Sequence, residues 1–161
     1  MAISSITTDY STRTKDILIF LGANPAKSDK QPVTAAFGNI SAYCAGVQKL
    51  IQRYFISFFT TIGSQENFTD FGSNFLQRII SSRRNITKTE ILHIFNFANA
   101  KVLGDFRTYQ SNNPNLPLDE QIGRAELTDA IANGDTLSLT IKIITLAGDT
   151  ITFVLPLPNT L

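Results

Sequence analysis

The sequence predicts an α+β fold, with two to three helices packed on a C-terminal antiparallel β-meander and an extended N-terminal arm carrying one strand. Three observations predict it. From Ile40 to Ile62, apolar residues recur at three- and four-residue spacing, the period of an amphipathic helix. From Leu137 onward they alternate with polar residues between Gly-Asp turns, the pattern of half-buried antiparallel strands. Residues 1–39 follow neither period and carry Pro25 and Pro32 amid Ser and Thr, so they read as an arm ahead of a single α+β domain over 40–161. At 161 residues and 43% hydrophobic content, the chain can enclose one ordinary core.

In the arm, Ile17, Leu18, Ile19, Phe20 and Leu21 form the strand-like run, closed off by Gly22, Asn24 and Pro25. The long helix has an inward stripe of Ile40, Tyr43, Val47, Leu50, Ile51, Tyr54, Phe55, Phe58, Phe59 and Ile62, about five to six turns. Gln48, Lys49, Gln52, Arg53 and Ser57 fall on its polar side. Asn39 or Ser41 is placed to cap it, and Gly63 to end it in the left-handed conformation. A short helix over 71–81 is expected to bury Phe75, Leu76, Ile79 and Ile80.

Thr87-Lys88-Thr89-Glu90 fits a capping box, so the third helix opens there, with Ile91, Ile94, Phe95, Ala98 and Val102 inward and Phe106 as a continuation. Asn112-Asn113-Pro114 ends it. The meander takes in 126–132, a turn at Asn133-Gly134-Asp135, and a strand with Leu137, Leu139, Ile141 and Ile143 on one face. After a turn at Ala147-Gly148-Asp149, the last strand presents Ile151, Phe153 and Leu155, and Pro156 and Pro158 are expected to stop it as an edge.

Charge and residue inventory argue against several function classes. A net charge of +1 provides no field to steer nucleic acid or an anionic membrane. Cys44 is the single cysteine, which rules out an intrachain disulfide and a cysteine-based metal site; its default role is packing on the first helix. No apolar stretch is long enough to span a bilayer, and the N-terminus lacks the basic start and apolar run of a signal peptide. The expectation is a soluble chain made in a cytoplasm.

Gly63 and Gly72, each followed by serine, invite a phosphate-loop reading, but a P-loop needs closer glycines, a lysine and a preceding strand. None of these is present, so the stretch reads as a hinge between helices. His93, the sole histidine, reads as a buried or half-buried structural residue in the third helix. Asp119 and Glu120 read as solvated or helix-start charges in a Pro-flanked loop, while Glu126 and Asp129 are assigned to opposite faces of a strand. Neither pair makes an acid/base couple of the kind glycoside hydrolysis requires. Arg78, Arg83, Arg84 and Lys88 form the one basic cluster, read as a solvated loop or a protein-interface patch because no aromatic interleaves it.

Several stretches taken together resemble the baseplate wedge proteins of contractile phage tails that initiate the tail sheath, a family with a related part in the type VI secretion baseplate. They are DYSTRTKDILIF (9–20), GVQKLIQRYFISFFTTIGS (46–64), DFGSNFL (70–76), LPLDEQIGRAEL (116–127) and LTIKIITLAGDTITFVLPL (139–157). The resemblance implies a non-enzymatic structural protein of the virion, made in the host cytoplasm and arranged sixfold around the tail. No catalytic, metal-binding or cofactor-binding residue is implied. Its partners would be the tail sheath protein, other baseplate wedge subunits and the tail tube, with no nucleic acid or membrane. Sheath subunits would add strands to its sheet. Some members carry Glu-Pro-Arg after the long helix; here that tripeptide is absent and Asp105-Phe106-Arg107 stands in a comparable place.

On this reading the arm contacts are Tyr10, Arg13, Ile17, Ile19 and Phe20, and Gln48, Gln52 and Arg53 form a docking face on the first helix. Arg107 is the candidate for the wedge contact. Strand addition would involve Leu139, Ile141 and Ile143 in the central strand and Ile151, Phe153 and Leu155 in the last one. Two alternatives stand beside it: a tail adaptor or terminator subunit, and a small hydrolase in the sense of the lysozyme-like label that the family sometimes carries.

Overall fold

The computed structural model describes residues 13–21, 31–32, 34–35, 43–82, 86–133 and 136–158. Five short strands come first: β1 (Asp16–Ile17), β2 (Phe20–Leu21), β3 (Gln31–Pro32), β4 (Thr34–Ala35) and β5 (Tyr43–Cys44). Then follow α1 (Gly46–Phe59), α2 (Phe75–Ser81), α3 (Lys88–Asn112), a 3-10 turn at Leu118–Glu120, and the long strands β6 (Ile122–Asn133), β7 (Thr136–Thr145) and β8 (Thr150–Pro158). The three long strands form the antiparallel meander and the helices pack on it, so the fold is α+β.

β7 carries the inward row Leu137, Leu139, Ile141 and Ile143, which meets Ile151 and Phe153 of β8 and Ala125 and Ala130 of β6 in one core with the helices. Aromatic rings join the layers: Phe55 of α1 lies edge-on to Phe153 at 4.5 Å, and Phe58 contacts Phe75 of α2 and Phe95 of α3 at 4.7 and 5.1 Å. Offset and edge-to-face pairs of this kind add to the gain from burial. Tyr54, buried among them, donates its hydroxyl to Asn99, whose amide donates to the Ala125 carbonyl, so a polar thread crosses from α1 through α3 to β6.

α3 follows the sequence reading closely. Thr87 and Glu90 form the capping box, Ile91, Phe95, Ala98, Val102 and Phe106 are buried, and the helix ends at Asn112. α1 does not. It begins at Gly46 rather than near Ile40, because Tyr43 and Cys44 are taken by pairing with β1, and Gly46 turns the chain into the helix at φ +60°. Tyr43, expected in the core, is 63% exposed, and Cys44 packs from a strand rather than from the helix. Ile40 and the expected caps Asn39 and Ser41 lie outside the described residues. The helix ends at Phe59, so Gly63, although left-handed at φ +80°, stands beyond it, as does Ile62.

Its polar side is also not a wet face: Lys49, Gln52 and Ser57 are buried. The short helix begins at Phe75 and leaves Ile80 exposed. The strand read over 17–21 is divided into β1 and β2, each two residues long, which pair with β5 and β4 respectively.

The stretch between α1 and α2 is a clasped loop rather than an open hinge. Ser73 N–H donates to the Thr60 carbonyl and Gly63 N–H to that of Thr69, and Thr61 bridges Ser73 in parallel. Gly72, at φ +107°, lies so close to the Thr60 carbonyl that an added Cβ would sit 2.3 Å from its oxygen.

At the other end of the sheet, Pro156 and Pro158 do not stop β8 but remain within it, opposite Ser138 and Thr136. A proline persists in a strand where its nitrogen faces away from the neighbour. Among the described residues, no helix is long and apolar enough to cross a membrane.

Candidate functional site

The residues with the most unusual environment are four charges drawn from three parts of the chain. Asp119 and Glu120, expected to be solvated, are only 8% and 6% exposed. The 3-10 turn, held by Glu120 N–H to the Pro117 carbonyl, points both carboxylates at the arm and α1. Arg13 Nη1 donates to both oxygens of Asp119 at 2.5 and 2.7 Å and lies 3.7 Å from Glu120. Lys49 Nζ donates to Glu120 at 2.9 Å and to the Thr14 hydroxyl at 2.7 Å, while Gly46 N–H donates to the other Glu120 oxygen at 3.2 Å. Two cations thus meet two anions, with Lys49 and both carboxylates buried and Arg13 half-buried. Such a set adds little net stability over an apolar packing but penalises any arrangement that leaves one charge alone.

One turn along α1, Gln52 holds the arm by its backbone. Its Nε2 donates to the Ile17 carbonyl at 2.7 Å and its Oε1 accepts from Ile19 N–H at 2.6 Å. The side-chain amide therefore does for residues 17–19 what a peptide unit of a neighbouring strand would do. Leu18, between the two bonded groups, is buried, whereas Ile17 and Ile19 are exposed. Cys44 lies opposite Asp16 in the same small ribbon; burial first and the Asp16 charge second push its thiol above the ordinary range.

The sheet order is β3-β8-β7-β6, with β3 parallel to β8 through Gln31–Phe153 and Pro32–Val154. β7 has a strand on each side and no edge to offer, and the side chains of Leu139, Ile141, Ile143, Ile151 and Phe153 are in the core. Leu155 is half-buried against it. The outer side of β8 is occupied in its middle by β3, and its two prolines remove donors beyond that. Among the described residues no strand pairs with the outer side of β6. Two carbonyls in its first half, Ile122 and Ala125, accept from Gln110 and Asn99 of α3. Its second half carries Asp129, paired with Lys88 at 2.6 Å, and the exposed Ile131.

The other expected site residues are scattered. Arg53 stacks over Tyr109 at 4.2 Å on the rim of a cavity of about 420 Å³ that Ile56, Phe71 and Phe106 also line. Gln48 is half-buried beside the cluster, and Arg107 is exposed on α3 with Lys101 and Asp105 ion-paired nearby. Phe20 pairs its backbone with Ala35; Tyr10, Arg83 and Arg84 lie outside the described residues. Arg78 stacks on Phe97 at 4.2 Å, so two of the basic cluster, Arg78 and Lys88, have separate partners. His93 is exposed rather than buried. Glu126 pairs with Arg124, and among the described residues no group of three or more His, Cys, Asp or Glu could hold a metal ion.

No protein-family model, no curated protein and no solved structure matches this chain. Lys49, Asp119 and Glu120, read from the sequence as surface charges, are buried. A signal existed: a 14-residue helix whose only charges are Lys49 and Arg53 is too apolar to keep a full face in water.

Proposed function

We propose that the chain is a structural subunit of a contractile-tail baseplate that joins the wedge to the first sheath ring and starts sheath assembly by accepting a strand. The resemblance of the five stretches supports this reading, and the observation that carries it is that, among the described residues, no strand pairs with the outer side of β6, where the Asp129 carboxylate caps the Ala130 N–H. An unpaired strand side is a ready template for an added strand, with main-chain hydrogen bonds providing affinity. The accepting segment is the second half of β6, residues 128–133, rather than β7 or β8, because those two have neighbours or prolines where a partner would lie.

The test is to label a tagged copy with gold in tailed particles and image them by electron microscopy. Label at the baseplate end of a contractile tail is the expected result; label at the head-proximal end would make the chain an adaptor. Absence of label from all particles, with the tag accessible, would overturn the structural reading. Ala132→Pro then probes the accepting strand, because the amide of residue 132 faces away from β7, whereas that of Ile131 faces Ser138: the variant should enter baseplates, but sheath should fail to extend from them.

A further inference from the structure

We propose that the groove formed by α1 and the 3-10 turn is a peptide-binding site that the chain fills with its own residues 13–19, and that a second copy of the chain can fill it with the same segment. Three recognition elements, all described above, converge there. Asp119 and Glu120 read a guanidinium at Arg13, Gln52 reads the backbone on both sides of residue 18, and the Leu18 side chain is buried. Lys49 adds a contact to the Thr14 hydroxyl and carbonyl. The ligand is therefore an extended segment with arginine at one end and leucine five positions later.

The segment has the character of a ligand rather than of a core element. Its regular structure is one strand of two residues, β1, and of its apolar side chains Ile17 and Ile19 are exposed while Leu18 alone is buried. A segment that buries so little apolar surface is one that can open while the rest of the fold stays closed. The occupant is specified by fit: the one sequence seen to satisfy the groove is Arg13–Ile19, and every other copy carries it. With β3 kept on β8 and β2 released from β4, residues 20–30 could span up to roughly 36 Å, enough to seat the segment on an adjacent copy. Exchange of identical contacts changes little in energy, so local concentration decides whether the groove is filled from within or from a second copy.

Two full-length variants test this. Leu18→Asp spoils the segment and leaves the groove, while Gln52→Ala with Asp119→Asn spoils the groove and leaves the segment. A fluorescent peptide RTKDILI should bind the Leu18→Asp protein and not the wild type, whose groove is filled. Adding Gln52→Ala to Leu18→Asp should weaken that binding by about tenfold or more. Mixed together, the two variants should form a one-to-one dimer by light scattering, although each alone is monomeric.

If Leu18→Asp does not fold cooperatively in urea, Arg13→Ala replaces it as the weakened segment. A folded variant that binds no peptide, or binds it equally with Gln52 removed, overturns the groove. Peptide binding without a mixed dimer overturns exchange between copies. Neither result depends on finding the chain in a phage particle.

Discussion

Lys49 and Glu120 meet at 2.9 Å with side chains 9% and 4% exposed, so each depends on the other for its charge to be tolerated. Lys49→Met leaves Glu120 buried with one backbone donor and a distant guanidinium, and should cost about 3 kcal/mol in urea denaturation. Lys49→Met with Glu120→Gln should cost less than the sum of the two single changes, because neither charge is then stranded. Cys44 gives a second reading at this scale. Its thiol is buried and held protonated by that burial and by Asp16, so a disulfide reagent at pH 8 should modify it slowly in the folded protein. Arg13→Ala, which loosens the ribbon covering Cys44, should speed modification and, because it strands the buried Asp119 carboxylate, should also lower the urea midpoint.

Among the elements, the loop between α1 and α2 depends on two glycines for different reasons. Gly72→Ala would drive Cβ into the Thr60 carbonyl at a backbone angle that disfavours side chains, and should cost about 2–4 kcal/mol. Gly63→Ala meets open space and bears only its left-handed angle, about 1–2 kcal/mol. Chemical denaturation of both variants would separate contact from conformation.

The start of α3 carries a pH dependence. Thr87 N–H, and then its hydroxyl, hold the Glu90 carboxyl below the usual carboxylate range. With the folded value below the unfolded one, this stabilisation is present above the unfolded pKa and lost as pH falls through the folded one. Glu90→Gln should therefore flatten the acid limb of thermal stability, measured between pH 3 and 6. That α3 could be read from the sequence follows from the same locality, since cap and stripe lie within the helix itself. The start and polar side of α1 could not, because Gln52 and Lys49 are buried by partners 35 and 71 residues away, which no local period encodes.

For the whole molecule, the described part of the arm is tied to distant parts of the chain. The described part of the arm reaches the sheet through β3 and the 3-10 turn through Arg13. The meander could be read because alternation and turns are written in order, while the buried charge cluster forms only when residues 106 apart come together. Deleting residues 1–35 would remove Arg13, Leu18 and the strand beside β8. We expect a loss of about 3–5 kcal/mol and a melting temperature lower by about 10 °C or more. Light scattering should show concentration-dependent self-association through the bared side of β8.

The parallel pairing of Gln31 with Phe153 also sets a schedule. A ribosome adding about 5–20 residues per second needs roughly 6–25 s to travel from one of these residues to the other. Throughout that interval β3 has been made and its partner strand has not. β3 is thus seated only once β8 has been made, and a chain stalled before β8 keeps β3 available to other molecules.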